Sequence, residues 1–303
     1  MFFSGFGKVF STVGDSQYET IGAFWDEMSS RFGRENLRGL GCHWTADSIE
    51  YLIGLRKGAL SDDEPLPEGA AHRELILPDH NWTVYTGKTS ELDQMYGAIY
   101  QNGPLDFEIE TFADDGNCEV HIFRKNTVPD IADAILARRS YRGRYCSAAV
   151  PLNDLRKIAE AGLAAPSGCN KQTTSLAIVN TPEMMNRILA VIDPPVAVTA
   201  PAGIFVLTRR INAYRDRCFA TQDYSAAIEN MLIAVTAMGY ASCWFEGHIT
   251  DADRICDRIA GILGIPGEYD LVCFLPVGIP ETEPKKPQKK PDAERCFFVS
   301  CSE

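Results

Sequence analysis

The sequence predicts an α+β protein of two domains, with a boundary near residue 125. Three observations carry this. The chain has 303 residues, and a single hydrophobic core stops growing at roughly 250–300 residues. The net charge of −12 is unevenly spread. Residues 1–125 hold 10 Lys+Arg against 21 Asp+Glu, a net of −11, which leaves 19 bases and 20 acids of the totals of 29 and 41 for the rest. Finally, residues 1–125 show one strand-helix-strand-strand arrangement twice, whereas the remainder alternates longer helices with short apolar strands.

The first copy begins with a strand over Gly7–Val13. A helix over Glu19–Phe32 follows, because Ile21, Phe24, Trp25, Met28 and Phe32 recur at helical spacing. Strands over Gly39–Trp44 and Ile49–Leu55 complete it, and the acid- and proline-rich loop Ser61–Gly69 closes it. The second copy has strands near Arg73–Leu77 and Trp82–Thr86 and a helix over Glu91–Tyr100. It ends in strands over Leu105–Phe112 and Cys118–Phe123. Two such halves related by a pseudo-twofold axis would leave a groove between them, a natural place for a ligand.

Arg124–Asp130 reads as the linker, and Pro129 suits the first turn of the next helix. That helix ends in Arg138-Arg139-Ser140-Tyr141-Arg142, a cluster of donors suited to a phosphate or to a solvated helix end. An amphipathic helix with Leu152, Leu155, Ile158, Ala159 and Leu163 is stopped by Pro166. The loop Pro166-Ser167-Gly168-Cys169-Asn170-Lys171-Gln172 then offers neutral donors and acceptors before a strand over Ser175–Val179. Residues 224–238 are apolar nearly all round, so that helix needs burial on all sides, in a core or against a second copy.

The excess of acid argues against general nucleic-acid binding. None of the ten cysteines forms a Cys-x-x-Cys pair or a zinc-finger spacing, so no metal site is expected and the thiols read as reduced in a cytoplasmic protein. The most apolar long stretch, Met231–Phe245, is shorter than the roughly 20 residues a membrane helix needs.

Residues 5–125 resemble the gyrase-inhibitor-like effector-binding domain, also found behind AraC-type DNA-binding domains. The resemblance rests on Phe24-Trp25-Asp26-Glu27, Tyr51-Leu52-Ile53-Gly54, Phe107-Glu108 and Glu119-Val120-His121-Ile122. It implies that Glu108, with Trp25, faces a cationic or aromatic ligand, while alternation in a half-solvated strand explains Glu108 equally simply. Residues 128–298 resemble the FMN-dependent nitroreductase family. The carriers are Arg138–Arg142, the Pro166–Gln172 loop, Tyr224–Ala234, Ser242–Gly247 and Leu263–Tyr269 leading to Pro276–Pro280.

The nitroreductase resemblance implies an α+β sandwich with a mixed sheet flanked by helices, and a homodimer with FMN at its interface. Arg138, Arg139, Ser140 and Arg142 would hold the phosphate end. Pro166, Ser167, Gly168, Asn170 and Gln172 would contact the ribityl chain and ring, and Glu246 and Gly247 would lie beside the ring. In the tail, where the family often has arginine, Lys289 or Lys290 would return to the phosphate. NADH or NADPH would deliver hydride to flavin N5, and a nitroaromatic, quinone or similar small molecule would accept it, so no side chain is expected to act as catalytic acid or base. A non-enzymatic flavin or small-molecule sensor, or a flavin dehydrogenase with another substrate, is the alternative. His248 and Cys169 read as bystanders. A chain lacking residues 1–125 is expected to fold on its own.

Overall fold

A computed structural model of the chain describes residues 1–61, 63–128, 130–297 and 299. Pro129, expected in the first turn of a helix, and Cys301 lie outside the described residues. The strands and helices run in the order β1 (Phe2–Ser11), α1 (Gln17–Phe32), β2 (Leu37–Cys42), β3 (Ser48–Leu55), β4 (Ala71–Ile76), β5 (Trp82–Lys88), α2 (Leu92–Tyr100), β6 (Phe107–Phe112) and β7 (Asn117–Phe123). These seven strands form one antiparallel sheet in the order β4-β1-β3-β2-β6-β7-β5. Thus β4 does not open a second half: it extends the first, pairing Phe2 with Ile76 through Gly7 with Ala71.

Alternation sorts the side chains of this sheet onto two faces. On one face Phe6, Phe10, Ile49, Tyr51, Ile53 and Phe112 pack under Phe24, Trp25 and Met28 of α1. Val120 and Ile122 pack under Tyr96 and Ile99 of α2 on the same side. The other face carries Phe3, Leu40, Leu52, Phe107, Ile109 and Phe123.

The second half comprises α3 (Ile131–Ala137), α4 (Leu152–Leu163), β8 (Thr174–Val179), α5 (Pro182–Leu189), β9 (Ala202–Thr208), β10 (Asn212–Tyr214), β11 (Arg217–Cys218), α6 (Ala220–Ala237), α7 (Gly247–Thr250), α8 (Ile255–Leu263) and β12 (Asp270–Val277). Helix α3 is capped by Asp130, whose side chain accepts from the Ala132 and Asp133 amides. The sheet has the order β12-β9-β8 and pairs antiparallel throughout. The expected mixed sheet is therefore corrected: among the described residues, parallel pairing here is confined to the isolated Ser140–Ser242 bridge. Helices α4 and α6 cover one face of this sheet and α5 and α8 the other.

One further expectation changes and another stays open. Helix α6 buries Ala227, Ile228, Met231, Leu232 and Val235 within its own chain, while its apolar Ala226, Ile233 and Ala234 remain partly exposed. The outer face of the seven-stranded sheet also joins a single apolar cluster with Ala148, Val150, Leu155, Tyr240, Val277 and Ile279 of the second half. Backbone bonds bridge the same boundary: the Ser147 amide donates to the Ile76 carbonyl at 2.9 Å, and the Asp79 amide to the Glu281 carbonyl at 2.9 Å. The halves share a core, which removes the ground for expecting residues 126–303 to fold alone. No helix among the described residues is long and apolar enough to cross a membrane.

Candidate functional site

Helix α6 collects three segments that are far apart in sequence. Near its start, the Asp223 carboxylate is buried and holds the Pro166–Gln172 loop. It accepts from the Gly168 amide at 2.8 Å and from the Thr173 hydroxyl at 2.7 Å. The adjacent Tyr224 hydroxyl donates to Glu246 Oε1 at 2.7 Å, and the Trp244 indole donates to Glu246 Oε2 at 2.8 Å. Both oxygens of that carboxylate are thereby fixed. Further along, Glu229 pairs with the Arg138 guanidinium at 3.2 Å.

The loop needs this anchoring. Cys169, Asn170 and Gln172 sit at φ of 49°, 52° and 48°, a left-handed conformation that costs a non-glycine residue of order 1 kcal/mol or more. Ser167 Oγ accepts from the Gln172 amide at 2.9 Å and closes the turn. Gly168 passes so close to Phe219 that an added Cβ would lie 2.9 Å from the Phe219 Cβ. Pro166, Ser167 and Gln172 line a cleft of about 430 Å³ together with Thr174, Leu176 and Asp223.

At the other end, Ser140 bridges to Ser242, and the Tyr141 amide donates to the Ser242 carbonyl at 2.8 Å. Burial pushes the adjacent Cys243 thiol up, and the positive charges of Arg142 and Arg138 pull it back down. Both guanidiniums thus act on the region around Ser140 and Cys243, a donor set that fits a phosphate dianion. Arg139 behaves differently. Its Nη1 is spent on the carbonyls of Leu136 and Arg138, which are left open at the end of α3. Gly247 is exposed. His248 Nε2 donates to the Pro194 carbonyl at 2.8 Å, a structural bond. Lys289 and Lys290 are exposed, and among the described residues no hydrogen bond or ion pair joins them to the other candidates. Asp223 and Thr173 were not marked by the sequence.

A second cavity of about 240 Å³ lies on the helical side of the large sheet. Trp25, Trp44, Tyr51, Tyr96, Tyr100, Glu108 and Glu110 are among its lining residues. The Trp25 indole donates to the Tyr51 hydroxyl at 2.9 Å, and Tyr51 in turn donates to Glu110 Oε2. Tyr96 donates to Glu110 Oε1 at 2.5 Å. Glu108 is equally buried, yet its Oε2 has no partner among the described residues. It has room because Gly41 lies opposite, where a Cβ would come within 2.6 Å of Glu108 Oε1. Burial raises both carboxyl pKa values, and for Glu108 the neighbouring Glu110 adds to the rise.

A raised acid pKa favours the folded state most at low pH, and that advantage is lost as pH climbs from the ordinary value of 4.5 toward neutrality. Glu108→Gln removes the penalty. The variant is expected to be more stable than the parent at pH 7 by about 1 kcal/mol, a few degrees in Tm. The gap should close as the pH falls to 4.5. Thermal melts of both proteins across that range check this, and a variant less stable at pH 7 would contradict it.

Residues 135–198 and 190–279 match the profile of the nitroreductase family. The chain is 30% identical over 169 residues to a protein of Methanothermobacter thermautotrophicus provisionally named NADH dehydrogenase/NAD(P)H nitroreductase, which aligns over 54% of this chain and 85% of that protein. The chain belongs to the nitroreductase family. It is an enzyme of the oxidoreductase class. A similarly named protein of Archaeoglobus fulgidus is 30% identical over 151 residues, 49% of this chain and 84% of that one. Among solved structures, the chain is similar to a nitroreductase with bound FMN from Bacteroides fragilis, at 25% identity and a TM-score of 0.47, covering 56% of this chain and 99% of that one.

Proposed function

We propose that the chain is an FMN-dependent NAD(P)H oxidoreductase whose acceptor is a small nitroaromatic, quinone or similar molecule. The observation that carries this reading is the gathering of the loop, the Glu246 carboxylate and the arginines by one helix. These are the segments that resemble the family's flavin site, and the relatives' names supply the reductant class. The chemistry supplied by bound FMN would be hydride transfer between NAD(P)H and the acceptor. The chain's own residues bind and orient the FMN. Arg138, Ser140 and Arg142 take the phosphate end, while Ser167, Asn170 and Gln172 take the ribityl chain and ring edge. Glu246, locked by Tyr224 and Trp244, borders the ring with Gly247, and Pro166 and Gly168 shape the turn. Arg139 supports the helix end, and Lys289 or Lys290 supplies further charge.

The protein acts as a homodimer in this reading. The support is the short helix α3, on which Ile131, Ile135 and Leu136 are exposed at 69%, 49% and 73%, more apolar surface than a scattered single residue presents. Residues 1–125 form a gyrase-inhibitor-like ligand-binding domain in which Glu108 and Trp25 face a cationic or aromatic molecule. The unpartnered Glu108 oxygen amid aromatic rings supports this.

The visible spectrum of the purified protein tests the assignment. Bound flavin that bleaches with NADH or NADPH under anaerobic conditions is expected, in a particle with the mass of two chains. Arg138→Ala should lose most of its FMN while keeping its fold, since a charge-assisted phosphate contact is worth roughly 1.5–3 kcal/mol, a 10- to 100-fold loss of affinity. Full retention of FMN by that variant would refute the phosphate site.

A further inference from the structure

A cluster of soft and hard ligands lies on the other face of the seven-stranded sheet, away from both cavities already assigned. Cys42 ends β2 and is the cross-strand partner of Glu50 on β3, so their side chains share a face. His43 would ordinarily point to the opposite face. Its backbone is left-handed, with φ of 53°, and this brings the ring back beside its neighbour. His43 Nδ1 stands 3.8 Å from Cys42 Sγ and 2.5 Å from Glu50 Oε2. The three ligand atoms all lie within 4.8 Å of one another. The remaining oxygen, Glu50 Oε1, accepts from Arg73 at 3.1 Å, which aims the carboxylate.

We propose that Cys42, His43 and Glu50 form a binding site for Zn²⁺, with the fourth position of the tetrahedron open to water. Bond lengths of about 2.3 Å to sulfur and 2.0–2.2 Å to nitrogen and oxygen place tetrahedral ligand atoms roughly 3.3–3.7 Å apart. The sulfur–nitrogen separation is already close to that. The nitrogen–oxygen separation is a hydrogen-bond length and must open by about 1 Å, a change within reach of two side chains. A thiolate, an imidazole and a carboxylate together select zinc over magnesium or calcium, which take oxygen-only ligand sets. Burial and the negative charges of Glu50 and Glu108 hold the Cys42 thiol protonated without a metal. A dication at the site reverses that field. On binding, the Cys42 proton leaves to solvent, the proton on His43 Nδ1 moves to Nε2, and three ligand bonds replace the His43–Glu50 hydrogen bond. No oxidation or reduction occurs.

The site ties the end of β2 to β3 beside the core shared by the two halves. Its ligands come from a hairpin of nine residues, Cys42 to Glu50, with none of the paired-cysteine spacing by which zinc sites are read from sequence.

Cobalt substitution of the full-length, metal-stripped protein tests the proposal. One equivalent of Co²⁺ should develop the visible bands of four-coordinate cobalt and a thiolate-to-cobalt charge-transfer band, and Zn²⁺ should displace it. Cys42→Ser should lose the charge-transfer band. Glu50→Gln and His43→Gln should each weaken Co²⁺ binding by about tenfold or more. Glu50 is only partly buried, so Glu50→Gln decides the matter if Cys42→Ser fails to fold. Absence of stoichiometric four-coordinate bands, or bands unaltered by Glu50→Gln and His43→Gln, would overturn the site. The second result would place the cobalt on exposed thiols such as Cys169, Cys218 or Cys296.

Discussion

Asp223→Ala should release the Pro166–Gln172 loop and lower stability by about 3–5 kcal/mol, the largest loss expected from a single substitution here. The carboxylate is buried and has two donors, the Gly168 amide and the Thr173 hydroxyl. Each hydrogen bond to a charged acceptor is worth about 1.5–3 kcal/mol, and truncation leaves both donors buried without a partner. The loop also stores unfavourable backbone conformation at Cys169, Asn170 and Gln172, which persists only while the surroundings impose it. Once the clamp is gone, the strained turn relaxes and the donors of Ser167 and Gln172 lose their common orientation. Asp223→Asn keeps one acceptor oxygen and should fall between the two. Denaturant unfolding and the ratio of flavin to protein absorbance read the two consequences separately. If Asp223→Ala kept its flavin and stability, α6 would not be the element that builds the site.

Local signals made much of this legible. The apolar spacing of Ile21 to Phe32 placed α1 to within two residues of its observed start, and the helix before Pro166 and the strand after Gln172 fell where periodicity put them. Long-range pairing was not legible. Strand β4 was read as the opening of a second half because it follows the loop in sequence. Its edge position beside β1 depends on a partner some seventy residues earlier, which no local pattern encodes. Asp223 in the first turn of a helix reads as a complement to the helix dipole, and nothing nearby reveals that Gly168 and Thr173 will reach it. Arg139 looked like its neighbours, but only the open carbonyls at the end of α3 distinguish it. The shared core did leave a trace. In β3, Ile49, Tyr51, Leu52 and Ile53 are apolar on both faces, a pattern of a strand covered on two sides rather than one.

That two-sided strand sets the second large expectation. A chain beginning at residue 126 should be recovered mostly as aggregate, although the matched family segment, residues 135–279, is intact within it. Removing residues 1–125 uncovers Ala148, Val150, Tyr240, Val277 and Ile279, which now sit in one cluster with Phe3, Leu40, Leu52, Phe107 and Phe123. It also breaks the Ser147 and Asp79 backbone bonds and the ion pair of Lys125 with Asp154 at 3.8 Å. A newly exposed apolar face of several such side chains exceeds what single surface residues present and promotes association. Each side chain returned to water costs about 1.5–3 kcal/mol, against a total stability that is typically 5–15 kcal/mol. Replacing Val150 and Ile279 with polar residues in the truncated chain should restore solubility in part, since it removes the cause without restoring the missing sheet. Size-exclusion chromatography of the truncated chain and of its polar variant measures both. A monodisperse, flavin-binding product from the unmodified truncation would show that the apolar cluster spanning the two halves contributes little to folding.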